Sequence, residues 1–213
     1  MKLQTSILSR LLACLIVAAG LIVTTAVPAE QKPGAKPQSK PAAAPQMSEE
    51  EMMAAYAKHA QPGPEHEFLK SMAGTWKAVT KTWMSPGEPK VSEGTSTRTV
   101  ILGGRFLKDE FKSTFMDKPF EGFGTTGFDL FKKEYVGTWS DTMGTAIMMS
   151  RGKMDAFGKV LTMTAAYDDP VTGEKKVMKE ITKILSPNQH VLEFWENQGG
   201  KDVKFMEITY TRP

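Results

Sequence analysis

From Gly74-Thr75-Trp76 to Tyr210-Thr211-Arg212 the chain repeats one pattern: short segments of alternating apolar and polar residues, each closed by a turn signal, with no long helical stretch between them. A period of two lines one face of a strand with apolar side chains. The pattern predicts strands near 75–84, 92–101, 105–113, 121–128, 134–140, 145–154, 159–167, 175–185, 190–196 and 202–212. Between them, Pro86-Gly87, Gly103-Gly104, Asp117-Lys118-Pro119, Asp155-Ala156-Phe157-Gly158, the run from Asp168 to Gly173, Ser186-Pro187-Asn188 and Gly199-Gly200 supply the residues that tight turns demand. Hairpin-length connections leave little room for crossover helices and argue against a parallel α/β sheet. A sandwich and a barrel remain. Meander connectivity favours the barrel, because closure removes the edge strands that a sandwich must protect. The expected fold is therefore all-β: about ten antiparallel strands in an up-and-down barrel over 74–213. Its interior either holds a small ligand or is filled by side chains, and both readings stay open at this point.

Upstream the period changes. Ser48-Glu49-Glu50-Glu51 offers a capping box, and Met52, Met53, Tyr56 and Ala60 recur with helical spacing, so a helix is expected over 48–60. Pro62-Gly63-Pro64 ends it. A second short helix is expected from Glu65 to Met72, with Phe68, Leu69 and Met72 on its apolar side, docked on the barrel as a lid; the two helices fill 47–73. Residues 30–46 carry Pro33, Pro37, Pro41 and Pro45 and no apolar periodicity, the composition of a flexible Pro/Ala/Lys-rich linker. Lys2 and Arg10, the apolar run from Leu11 to Val23 and the small residues up to Ala29 have the layout of a secretory signal peptide, 1–29, with an uncleaved membrane anchor as the alternative. Cleavage at Cys14, in Leu11-Leu12-Ala13-Cys14, would leave most of the apolar run on the mature chain, which argues against a lipoprotein. The expected location is periplasmic or secreted, without stable membrane insertion once 1–29 are removed.

That reading limits the chemistry. Cys14 is the only cysteine, so a chain starting at Glu30 has no disulfide, thiolate nucleophile or cysteine metal site. Loss of Lys2 and Arg10 lowers the formal charge from +3 to +1, which leaves no basic face for nucleic acid. The three histidines, His59, His66 and His190, lack metal-site spacing. His190 is either a solvated turn residue or a single axial ligand of the kind some barrels offer haem; no cofactor is otherwise implied. Asp168, Asp169 and Glu174 read as a hairpin turn, without the spacing of a calcium loop. No nucleophile elbow and no phosphate loop occur, so no catalytic residue is assigned.

His66-Glu67-Phe68-Leu69, Gly74-Thr75-Trp76, the run Leu102 to Leu107, Phe120-Glu121-Gly122, Gly127-Phe128-Asp129, Thr138-Trp139, the run Asp168 to Gly173 and the run Met206 to Arg212 together resemble the bacterial DUF1579 family. The resemblance covers Glu65 to Arg212 and carries no established activity. The Gly-x-Trp opening and the terminal arginine are also similar to the calycin superfamily of lipocalins and fatty-acid-binding proteins. That similarity implies that Arg212 packs over Trp76 where the barrel closes, a contact worth roughly 0.5–2 kcal/mol.

Nine methionines lie in the strand region, where they either fill a core or line an apolar pocket. The leading reading is an exported, non-enzymatic barrel for a small apolar ligand, lined by Trp83, Trp139, Met149, Met163 and Phe194, with Arg98, Arg105 and Glu180 as the polar contacts. Glu180 is the acid of most interest, because an inward orientation would raise its pKa. An alternative is an acid-base enzyme using Glu180 or Asp129 as base and Arg98 or Arg105 to hold an anion. Another is a filled barrel that serves as an interaction module.

Overall fold

The computed structural model describes residues 47–170 and 172–213. The leader and linker expected over 1–46 lie outside the described residues. Helices α1 (Glu49–Ala60) and α2 (Glu65–Ser71) precede ten strands: β1 (Gly74–Thr82), β2 (Lys90–Ile101), β3 (Phe106–Phe115), β4 (Lys118–Asp129), β5 (Glu134–Asp141), β6 (Met148–Met154), β7 (Val160–Asp168), β8 (Lys175–Ser186), β9 (Gln189–Gln198) and β10 (Lys201–Thr211). Each strand pairs antiparallel with its sequence neighbours, and β1 pairs with β10 from Lys77–Thr211 to Thr82–Met206, so the sheet is a closed up-and-down barrel. Closure settles the choice against a sandwich.

The period-two pattern is what places side chains inside. On β1, Trp76, Ala78 and Thr80 are buried while Lys77, Val79 and Lys81 face outward; on β7, Leu161, Met163 and Ala165 are buried while Thr162 and Thr164 are exposed. Strand β4 starts earlier than the turn residues indicate. The reversal uses Met116 and Asp117, both at positive φ, as a two-residue hairpin loop, so Lys118 and Pro119 already belong to the strand.

The capping box of α1 forms as its sequence demands: the Ser48 hydroxyl accepts from the Glu51 N–H, and the Glu51 carboxylate accepts from the Ser48 N–H. The helix buries none of its residues. Helix α2 does the opposite. It lies across the barrel end where β1 begins, with Leu69 1% exposed against Leu107, Tyr135, Leu161 and Met163. Its C-terminal carbonyls are taken from the barrel side: Trp76 Nε1 donates to Met72 O, and Arg212 donates to Ser71 O and Ala73 O. The Arg212 guanidinium sits 4.1 Å from the Trp76 ring centroid, the pairing that the calycin similarity implies. Gly74, at φ 116°, leaves the space that this requires, because a Cβ there would lie 2.6 Å from Arg212 Nη1. No helix among the described residues is long and apolar enough to cross a membrane.

Candidate functional site

The barrel is not filled. A cavity of about 380 Å³ runs from Phe68 and Leu69 of α2 and its capping residue Met72 at one end to Phe115, Met143 and Met148 at the other. Much of its wall is apolar, from inward residues such as Leu107, Phe111, Met178, Leu192 and Ile208. Part of its width comes from β4. A methyl group at Gly122 or Gly124 would overlap the Trp139 indole. The two glycines therefore let the ring lie flat against the strand, where its Nε1 donates to Asp141 Oδ2 at 2.9 Å.

Near α2 the wall turns polar. Arg98 Nε donates to Asp109 Oδ2 at 2.9 Å and to Ser96 Oγ at 2.9 Å, while Ser96 Oγ donates to Asp109 Oδ1 at 2.7 Å. Arg98 Nη1 lies 2.9 Å from His190 Nε2. An arginine can only donate, so Nε2 accepts and the imidazole proton sits on Nδ1, which has no hydrogen-bond partner among the described residues. Burial, with the charges of Arg98 and Arg212, pushes the His190 pKa down to about 3 and keeps the ring neutral. One face of the ring stacks on Tyr210 at 4.6 Å, and Trp76 meets it edge-on at 4.4 Å. This corrects the turn-residue reading of His190, which is 1% exposed. A role as an axial haem ligand through Nε2 would require breaking its contact with Arg98.

Glu180, on the inner face of β8, lies opposite Met163 of β7 and Phe194 of β9. Burial pushes its carboxyl up to about 6, against the opposing pull of the Ser150 hydroxyl. No ion pair with Glu180 occurs among the described residues.

Of the expected contact residues, the cavity brings together Arg98, Trp139, Met163, Glu180 and Phe194. Three lie elsewhere. Met149 points out and is 50% exposed, because Met148 and Ser150 hold the inward phase of β6. Trp83 follows the end of β1 and stacks under the Lys204 ammonium at 5.5 Å, away from the lining. Arg105 donates to Ala60 O and Leu102 O, tying the end of α1 to the turn before β3. Asp129, one of the two candidate bases, accepts from the N–H groups of Phe131 and Lys132 and organises the β4–β5 turn. Asp109 and Ser96 were not singled out in the sequence. Alternation on β2 and β3 puts both on the inner face, but only the barrel shows that they face Arg98 and His190.

The model of DUF1579, described as a protein of unknown function, matches residues 61–212. No curated protein matches the sequence. Among solved structures, Rv2717c from M. tuberculosis is similar with a TM-score of 0.55 at 12% identity, covering 72% of this chain and 99% of its own. The S-type phycobiliprotein lyase CPES from Guillardia theta is similar with a TM-score of 0.50 at 11% identity, covering 74% of this chain and 96% of its own. Identities this low establish a shared barrel fold and nothing finer.

Proposed function

The chain belongs to the DUF1579 family of proteins of unknown function, and from that premise we propose that it is a container: a barrel that takes up one small, largely apolar molecule and does not transform it. The observation that carries this reading is the cavity of about 380 Å³. That volume lies at the lower end of the range of small-molecule sites, which are mostly apolar with a few placed polar groups. The same cavity counts against a filled barrel acting only as an interaction module. The acid-base alternative is weaker, because Arg105 and Asp129 lie outside the cavity and Arg98 is already paired with Asp109. Of the four groups that reading names, Glu180 alone is left facing the cavity without an ion-pair partner among the described residues.

The test is binding. Native mass spectrometry of protein recovered from its own host should show a bound small molecule, and apolar probes should raise the melting temperature of the emptied barrel. Thr182→Trp, which puts an indole into the cavity from β8, should remove probe binding while leaving the barrel folded. An empty barrel that no probe stabilises would overturn the reading. Export remains part of the proposal, supported by the leader-like residues 1–29, and is tested by whether the recovered chain begins at Glu30.

A further inference from the structure

The charge inventory of the cavity is short. Its ionisable lining residues are Arg98, Asp109, Asp141, Glu180, His190 and Tyr210. All but Glu180 are engaged within the protein. Arg98 and Asp109 form an ion pair at 2.9 Å that Ser96 and His190 complete. Asp141 accepts from Trp139 Nε1 and from the Met143 N–H. Tyr210 stacks on His190 and lies under the Arg98 guanidinium at 4.4 Å. Glu180 has only the Ser150 hydroxyl, with Met163 and Phe194 on the flanking strands. The inward lysine on its own strand, Lys176, pairs with Asp169 and Glu196, and Glu196 also accepts from Tyr167.

Two consequences follow from elementary electrostatics. An anionic ligand would find no cation to meet it, because the one arginine in the wall is neutralised by Asp109, and the remaining carboxylates would repel it. A cation would find in Glu180 a carboxylate that, among the described residues, has neither a counter-ion nor a backbone N–H, whereas Asp141 is already held by two N–H donors; there a charge-assisted hydrogen bond gains most.

We propose that the molecule held in this barrel is an apolar amine, bound with its protonated nitrogen on the Glu180 carboxylate and its hydrocarbon body along the apolar wall. The inference rests on the container reading above and narrows it to a ligand class. Burial holds Glu180 near the midpoint of its titration at about 6, so uptake is also pH-dependent. An alkylamine stays protonated well above that value. Its affinity therefore rises as the pH rises through about 6 and Glu180 ionises.

Three probes of one shape separate the possibilities: decylamine, decanol and decanoic acid, each below its micellar concentration, with binding to the full chain read by calorimetry at about pH 8 and about pH 5. At the higher pH, decylamine should bind at least about tenfold more tightly than decanol, and decanoic acid more weakly than either. At the lower pH the preference for the amine should shrink. Glu180→Gln, which keeps the shape of the side chain, should abolish the amine preference. Decanoic acid binding as tightly as decylamine, or an amine preference that survives both Glu180→Gln and the lower pH, would overturn the proposal. If decanol binds without any amine preference, this inference alone fails. If none of the three binds, the container reading fails with it. Should Glu180→Gln not fold, the pH dependence in the wild type decides.

Discussion

The Glu180 carboxyl and the His190 imidazole inside the barrel titrate with opposite consequences for stability. Glu180 is raised to about 6 from 4.5, so the folded state holds its proton more tightly than the unfolded chain. Its contribution is intact below about 4.5 and is lost as the pH rises through about 6. His190 is lowered to about 3 from 6.5, so its contribution is present above about 6.5 and is lost as the pH falls towards 3. Between about 4.5 and 6 the two slopes oppose each other at about 1.4 kcal/mol per pH unit. Glu180→Gln removes one of them. The stability of the variant relative to wild type should be constant below about pH 4.5 and should rise by about 2 kcal/mol as the pH passes 6, read from denaturant unfolding across the range. A difference that does not change with pH would show that Glu180 is solvated. A carboxylate that destabilises the empty barrel at neutral pH is what a binding site sacrifices for its ligand.

At the scale of elements, α2 is tied to the barrel at both of its ends. Its carbonyls are held by Trp76 and Arg212, its first turn accepts from Tyr135 through Glu65 O, and Leu69 reaches into the cluster around Leu161 and Met163. Phe68, on the apolar side of the same helix, is packed less completely than Leu69. It is only half-buried, edge-on to Tyr135 at 5.6 Å, because one side of its ring faces the cavity. Leu69→Ala should therefore destabilise the fold by about 2–5 kcal/mol and Phe68→Ala by clearly less, measured by chemical unfolding. A larger loss for Phe68→Ala would mean that the helix sits one residue out of its described phase. The existence of both helices was legible from Ser48-Glu49-Glu50-Glu51 and Pro62-Gly63-Pro64, since caps and breakers act locally. Which side chain of α2 enters the barrel was not, because three apolar residues in one turn differ only in what they meet.

At the scale of the whole molecule, closure depends on the last strand. β10 supplies hydrogen bonds to both β1 and β9, carries Ile208 and Tyr210, and leads directly into the Arg212 that covers Trp76. A chain ending at Lys204 should lose its near-UV circular dichroism and its cooperative transition, because it would expose two unpaired strand edges around an open core. Removing residues 47–58 should leave the melting temperature nearly unchanged, since α1 buries none of its residues. Equal effects from the two truncations would contradict a barrel that closes through β1 and β10.

Beyond the resemblance that implied a Trp76–Arg212 closure, the amino-acid sequence determined by itself that residues 74–213 alternate in strands joined by hairpins and that one face of each strand points inward. Those are consequences of a period of two and of turn chemistry, both readable within a few neighbouring residues. The phase was legible where polar and apolar residues alternate cleanly, as on β1 and β7. It was not on β6, where Met148 and Met149 are equivalent in sequence, nor on β8, where Glu180 and Lys179 both have apolar neighbours two residues away. Only the tertiary structure decided that the centre stays open, that Asp109 neutralises Arg98, and that Glu180 has no counter-ion among the described residues. Each of these depends on residues brought together from strands far apart in the chain, and a cavity or an ion pair is a property of that convergence rather than of any one segment.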